Sequence, residues 1–221
     1  MKLTVIFVGP EYEKNIGYVC RVMGNFGYKE LVIIKPKCKI GEDAIKYSKH
    51  GIEILNNAKI KTNFFKEIKK YDFVIGSSGI RMRNRDTIRD VLPLKQFVKN
   101  LDYYKWKKVA LVIGREGIGL NKHEISACDL IITIETGKYA TLNVSHALAV
   151  LLYEISNRKV ISGEIPIEKK EKNALMGLFS KMTKDSKNPK LAITCFRRIL
   201  GRSRIKKKEA IQLLEVFRNK L

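Results

Sequence analysis

Three short segments carry the side chains of this chain best suited to chemistry. Residues 10–27 hold Pro10, Asn15-Ile16-Gly17, Arg21 and Asn25-Phe26-Gly27. Residues 111–120 read Leu111-Val112-Ile113-Gly114-Arg115-Glu116-Gly117-Ile118-Gly119-Leu120. Residues 141–147 read Thr141-Leu142-Asn143-Val144-Ser145-His146-Ala147. An arginine stays charged in proteins and can grip an anion or a developing negative charge. Asn143 offers both a donor and an acceptor where a helix opens, so it can cap that helix or hold a ligand oxygen. Glycines let the main chain approach a ligand closely. All three segments fall where a strand-like run hands over to a helical one, and there open α/β sheets bind ligands.

Other chemistries have weaker support. Cys20, Cys38, Cys128 and Cys195 lack the paired spacing of zinc or redox motifs, so they are expected to be buried thiols. His50, His123 and His146 have no Cys or carboxylate at ligand spacing and read as surface or supporting residues, so no metal is expected. The net charge of +22, from 44 basic and 22 acidic residues, favours a polyanionic partner, with nucleic acid the natural one. Arg81, Arg83, Arg85 and Arg89 follow Ser77-Ser78 with few acidic neighbours, well placed to hold phosphates. No apolar run approaches the roughly 20 residues of a membrane helix. The apolar stretch 3–8 is too short for a signal peptide and reads as the first strand of a cytoplasmic protein.

The elements that must position these residues follow from periodicity. Strand-like runs at 3–8, 31–35, 73–76, 109–114 and 130–134 alternate with helical segments, which predicts an α/β fold with a parallel sheet covered on both faces. Residues 143–157 form a closing helix with Val144, Ala147, Leu148, Leu151, Leu152 and Ile155 on its apolar face. The composition then changes. Residues 1–158 read as the main domain, 159–166, with Gly163 and Pro166, as a linker, and 167–221 as a basic helical extension. Its helices are expected at 167–182, with the stripe Leu175, Leu178, Phe179 and Met182, at 189–200, and at 206–221. So short a unit makes a weak core and is expected to pack on the main domain or on a partner subunit.

Asn15-Ile16-Gly17 with Arg21 and Asn25-Phe26-Gly27, then residues 114–120, then Leu142-Asn143-Val144-Ser145 resemble, in order and spacing, the three motifs of the SPOUT (α/β knot) methyltransferases. The run Phe196-Arg197-Arg198-Ile199-Leu200-Gly201-Arg202, followed by Glu209-Ala210 and Leu213-Leu214, resembles the tail of the subfamily that methylates the ribose of nucleotide 32 in the tRNA anticodon loop. The resemblance covers nearly the whole chain. It implies a parallel sheet threaded into a deep trefoil knot, S-adenosylmethionine bound by the knot loops, tRNA as substrate, and a homodimer whose sites draw on both subunits.

Carried over residue by residue, the resemblance makes Ser77, Ser78, Gly79, Gly114, Glu116, Gly119, Ile134, Thr141, Leu142 and Asn143 the cofactor contacts. Arg21, Glu116, Asn143 and Thr141 become the catalytic set. Arg21 engages the acceptor nucleotide, Glu116 orders the cofactor loop or binds Asn143 or Arg21, and Thr141 keeps a hydroxyl where relatives usually have Ser. Arg81, Arg83, Arg85, Arg89, Arg197 and Arg198 are expected to hold RNA. The alternatives are 2′-O-methylation at another tRNA position or of ribosomal RNA, and a catalytically silent RNA-binding relative. Retention of Arg21, Glu116 and Asn143 argues against the last.

Overall fold

The computed structural model describes residues 2–79, 91–101, 106–137, 141–157, 167–203 and 205–220. Among them, strands β1 (Lys2–Val8), β2 (Glu30–Ile34), β3 (Lys59–Lys61), β4 (Phe73–Ser77), β5 (Leu92–Pro93), β6 (Lys108–Ile113) and β7 (Leu130–Thr133) form one sheet in the order β3-β2-β1-β6-β4-β7-β5. Every pairing is parallel. The five expected strands are all present. The sheet also gains two edge strands without a sequence period, because β3 is an exposed Lys-Ile-Lys and β5 only a Leu-Pro pair.

The central strands are continuous apolar runs because both faces are covered. Leu3, Val5 and Phe7 of β1, with Val109, Leu111 and Ile113 of β6, join a core that includes α1 (Glu13–Asn25) and α7 (Val144–Ser156). Ile6 and Val8, with Ala110 and Val112, turn to the opposite layer beneath α4 (Phe64–Ile68) and α6 (Lys122–Ala127). The expected apolar face of α7 is buried except for Ala147, which is half-buried. Helices α2 (Glu42–Ser48), α3 (Ile52–Asn56) and α5 (Leu94–Leu101) complete the sheet's cover, with a 3₁₀ turn at Lys49–Gly51.

Helices α8 (Lys169–Met182), α9 (Pro189–Arg202) and α10 (Lys207–Arg218) lie close to the expected bounds. Leu175, Leu200, Ile205, Ala210 and Leu214 belong to the same core as β1 and β6, so the extension packs on the sheet layer. Phe179 stacks on Phe196 with ring centroids 4.1 Å apart, and Phe217 closes the cluster at 6.3 and 6.0 Å. A further link is polar. Lys172 Nζ donates to Asp129 Oδ2 at 2.9 Å and lies 5.5 and 5.3 Å from the stacked rings of Phe73 and Trp106. Asp129 also accepts from the Val74 N–H at 2.9 Å. A Cβ on Gly201 would strike the Asp129 carbonyl, so α9 approaches that backbone directly. The extension therefore sits at the N-terminal ends of β4 and β7. Among the described residues no helix is long and apolar enough to cross a membrane.

Candidate active site

The opposite, C-terminal ends of β6, β4 and β7 frame a cavity of about 400 Å³. Because β4 lies between β6 and β7, the loops leaving those two strands close over its end. Ile113, Leu120, Ile125, Ile132, Val144 and Leu151 supply an apolar floor, and Ser77, Ser78, Arg115, Glu116 and Thr141 supply polar groups. The size and the mixture suit a small organic ligand. All the expected cofactor contacts line this cavity except Asn143. Ile125, Ile132 and Leu151 of this floor lie outside the motif segments and look in the sequence like ordinary core.

Asn143 instead belongs to a chain of hydrogen bonds that joins the three motif segments. The Glu116 carboxylate accepts from the backbone N–H of Glu11 at 2.9 Å and of Tyr12 at 3.3 Å. Tyr12 stands at the N-cap of α1 and has no side-chain cap of its own, so a carboxylate 104 residues away sits at that positive helix end. Asn15 Nδ2 donates to Glu116 Oε1 at 3.2 Å, and Asn143 Nδ2 donates to Asn15 Oδ1 at 3.1 Å. Asn143 Oδ1 then accepts from the Ser145 N–H at 2.9 Å and from its hydroxyl at 2.8 Å, capping α7. Glu116 thus ties the loop after β6 to the start of α1. It reaches Asn143 through Asn15, a motif residue whose bridging role has no sequence signal.

The loop after β6 is shaped by a second set of contacts. Arg115 and Gly119 exchange backbone hydrogen bonds at 3.3 and 3.0 Å, and Gly119 adopts φ 66°, a conformation that favours glycine. A Cβ on Gly114 would strike the Gly119 and Leu120 backbone. Arg115 Nη1 and Nη2 each donate to a Glu124 oxygen at 2.9 Å, and Nη1 also donates to the Gly119 carbonyl at 3.2 Å. This hydrogen bonding to Glu124 pushes the Arg115 guanidinium further up, fixing it as a cation. Glu124 is itself locked in a capping box with Asn121 at the start of α6. The Asn121-to-Glu124 spacing is a local signal for that cap, whereas the pairing with Arg115 has none.

Arg21 projects from the exposed face of α1 and is not among the residues lining the cavity. Thr141 lines the cavity from an exposed position at the start of its motif. Arg81, Arg83, Arg85 and Arg89 lie outside the described residues. The expectation that Arg198 binds RNA is corrected: the side chain is 2% exposed and Nη2 donates to the Ile125 carbonyl at 2.7 Å, below α6. Arg197 is half-buried, its guanidinium 4.0 Å from Asp129. Charge alone does not reveal that this end of α9 faces the sheet. Cys20 and Cys128 are buried as expected, and burial pushes both thiols up to about 12, whereas Cys38 and Cys195 are only half-buried. The three histidines are exposed. Among the described residues no group of three or more His, Cys, Asp or Glu side chains is placed to hold a metal ion.

Known proteins similar to this chain point to one family. The SpoU rRNA Methylase family matches residues 2–153. A tRNA (cytidine-2′-O-)-methyltransferase, TrmJ, of Methanocaldococcus jannaschii is 37% identical, covering 98% of each chain. The crystal structure of TrmJ from Z. mobilis ZM4 shares the fold with a TM-score of 0.71 at 20% identity, covering 98% of each chain. AviRb from Streptomyces viridochromogenes, solved in complex with the cofactor AdoMet, has a TM-score of 0.51 at 18% identity over 69% of this chain and 58% of that one. The motif segments that build the cavity lie inside the matched span, and the chain belongs to the SpoU rRNA Methylase family, as a methyltransferase of the SPOUT class.

Proposed function

We propose that this protein transfers a methyl group from S-adenosylmethionine to a ribose 2′-oxygen of tRNA, at nucleotide 32 of the anticodon loop. The observation that carries the reading is the cavity itself: segments far apart in sequence meet at the C-terminal strand ends and present every nominated cofactor contact except Asn143, with Glu116 and Thr141 of the catalytic set among them. The named activity of the M. jannaschii relative and the AdoMet bound to AviRb support the reaction class and the cofactor. The likeness of the run 196–202 to its subfamily supports the position.

The residues present suit such a cofactor. Ser77, Ser78, Gly79, Gly114, Glu116, Gly119, Ile134, Thr141 and Leu142 would hold it, with an apolar floor for its adenine and backbone groups at the rim. When bound, it supplies a methyl group on a positively charged sulfur. The Glu116–Asn15–Asn143 chain keeps the three loops in register, so that in-line positioning can supply the rate enhancement. Arg21 grips the acceptor phosphate and the 2′-oxygen, stabilising negative charge as the hydroxyl proton passes to solvent water and the oxygen takes the methyl group, the sulfur leaving as a neutral thioether. Its place away from the cavity of its own subunit fits a cytoplasmic homodimer in which Arg21 of one subunit serves the cavity of the other. The proposal includes trefoil threading. The strand order supports it, because the chain returns from edge strand β5 to central β6 and then passes β4 to reach β7.

Arg21→Ala and Arg21→Lys test the assignment. Both are expected to retain cofactor affinity by calorimetry and to lose methyl transfer by roughly a hundredfold, the scale of one charge-stabilising donor. Unchanged turnover in Arg21→Lys would overturn the two-point grip. Mixing Arg21→Ala with Gly114→Ala subunits should restore activity, since mixed dimers regain one intact composite site.

A further inference from the structure

Arg21 is not an isolated cation on the outer face of α1. Tyr18 lies one turn before it, on the same face. The Tyr18 ring sits against Tyr47 of α2, with centroids 4.9 Å apart and planes tilted by 49°, and both rings are half-exposed. Lys14 Nζ and Lys46 Nζ lie 5.5 and 5.8 Å from the centroid of the Tyr47 ring. Lys14 also pairs with Asp43 at 3.5 Å, while Lys46 and Lys49 are exposed.

The two helices can approach so closely because Gly17 leaves room. A Cβ there would meet the Ala44 carbonyl at 2.6 Å and the Tyr47 Cβ at 2.9 Å. Gly51 does the same for the turn after α2, where a Cβ would strike the Cys20 carbonyl and lie 2.8 Å from the Arg21 nitrogen. The turn that carries Lys49 is thus pressed against the backbone at Arg21. Lys49 itself adopts φ 48° and ψ −124°, in the region that favours glycine. A lysine held at such a backbone conformation is a mark of functional surfaces, where the surrounding packing bears the strain.

We infer that Tyr18, Tyr47, Lys46 and Lys49 form an RNA-binding face continuous with Arg21, on which a base flanking the acceptor nucleotide stacks while the lysines hold the adjoining phosphates. The inference rests on the tRNA reading given above. Half-exposed aromatic rings bracketed by cations are the chemistry that single-stranded loops select, since an unpaired base offers a π face and its backbone a regular line of charge. The face adds substrate contacts but takes no part in holding the cofactor, because none of these four residues lines the cavity.

Tyr47→Ala keeps the Cβ that meets Gly17 and removes only the ring, and Lys46→Glu with Lys49→Glu changes only exposed groups. Each is assayed for kcat and KM with unmodified tRNA, for cofactor binding by calorimetry, for the salt dependence of tRNA affinity, and for mass by sedimentation. Loss of one stacked base should raise the KM for tRNA roughly ten- to a hundredfold in Tyr47→Ala, with kcat and cofactor affinity unchanged. The lysine double variant should flatten the plot of log affinity against log salt by roughly one for each phosphate no longer neutralised. An active wild-type enzyme whose variants keep the same KM and salt slope overturns the inference. So does a change from dimer to monomer in either variant, which would assign the face to a subunit interface. If the wild-type protein methylates no tRNA at all, the underlying functional reading fails instead, and the RNA assignment of this face fails with it.

Discussion

Glu116 is the side chain on which the site turns, because one carboxylate satisfies two backbone N–H groups at the start of α1 and the amide of Asn15. Removing a hydrogen-bonding partner while its donors stay in place costs about 1–3 kcal/mol. Glu116→Ala should therefore weaken cofactor binding about tenfold or more, read by calorimetry, while Glu116→Gln, which keeps one acceptor oxygen, should lose less. The thiols give a separate check. Cys20 and Cys128, pushed up to about 12 by burial, should resist alkylation of the native protein at pH 8, whereas half-buried Cys195 should react first; mass spectrometry of the labelled peptides distinguishes them. At this scale the sequence nominates residues that line the cavity but not whom they touch. Gly114, Ser78 and Leu142 are legible because strand ends and glycine loops are local features. Asn15 as a bridge and Glu124 as the partner of Arg115 are not, since each pairing depends on a fold that brings distant segments together. Arg198 shows the opposite failure: a cation in a basic run is drawn as surface, and its actual direction follows from how α9 meets α6.

At the scale of elements, the loop after β6 is held by its glycines. Gly119→Ala places a Cβ at φ 66° with open space around it, so the penalty is conformational, about 1–2 kcal/mol. Gly114→Ala meets the Gly119 and Leu120 backbone, with nowhere for the loop to yield without opening the cavity. Cofactor affinity should accordingly fall modestly in Gly119→Ala and be abolished in Gly114→Ala, with circular dichroism reporting a folded sheet in both; equal affinities would contradict the packing described. The long buried strands and the amphipathic helices are readable because their periods persist over many residues. β3 and β5 are not, for two or three residues at a sheet edge carry no period and owe their strand conformation to β2 and β7 alongside them.

At the scale of the whole molecule, the C-terminal helices and the cavity lie at opposite ends of the same strands. Asp129 precedes β7 and binds Val74 near the start of β4, and both strands end at the cavity. Lys172→Met would leave the buried Asp129 carboxylate with only the Arg197 guanidinium at 4.0 Å, at a cost approaching the ~3–5 kcal/mol of a fully unpaired buried charge. A large drop in the melting temperature is expected, partly recovered by adding Asp129→Asn; a melting temperature unchanged by Lys172→Met would show that the extension is not tied to the sheet through this pair. Strand order is beyond the sequence, because parallel neighbours are chosen by crossovers and not by local pattern. The charge of +22 is visible from composition alone and points, with the cavity, to an RNA substrate. The most direct test transfers labelled methyl from S-adenosylmethionine to unmodified tRNA and to the same tRNA with a 2′-deoxy sugar at nucleotide 32. Labelling of the first and none of the second is the predicted result; equal labelling of both would contradict ribose methylation at that nucleotide.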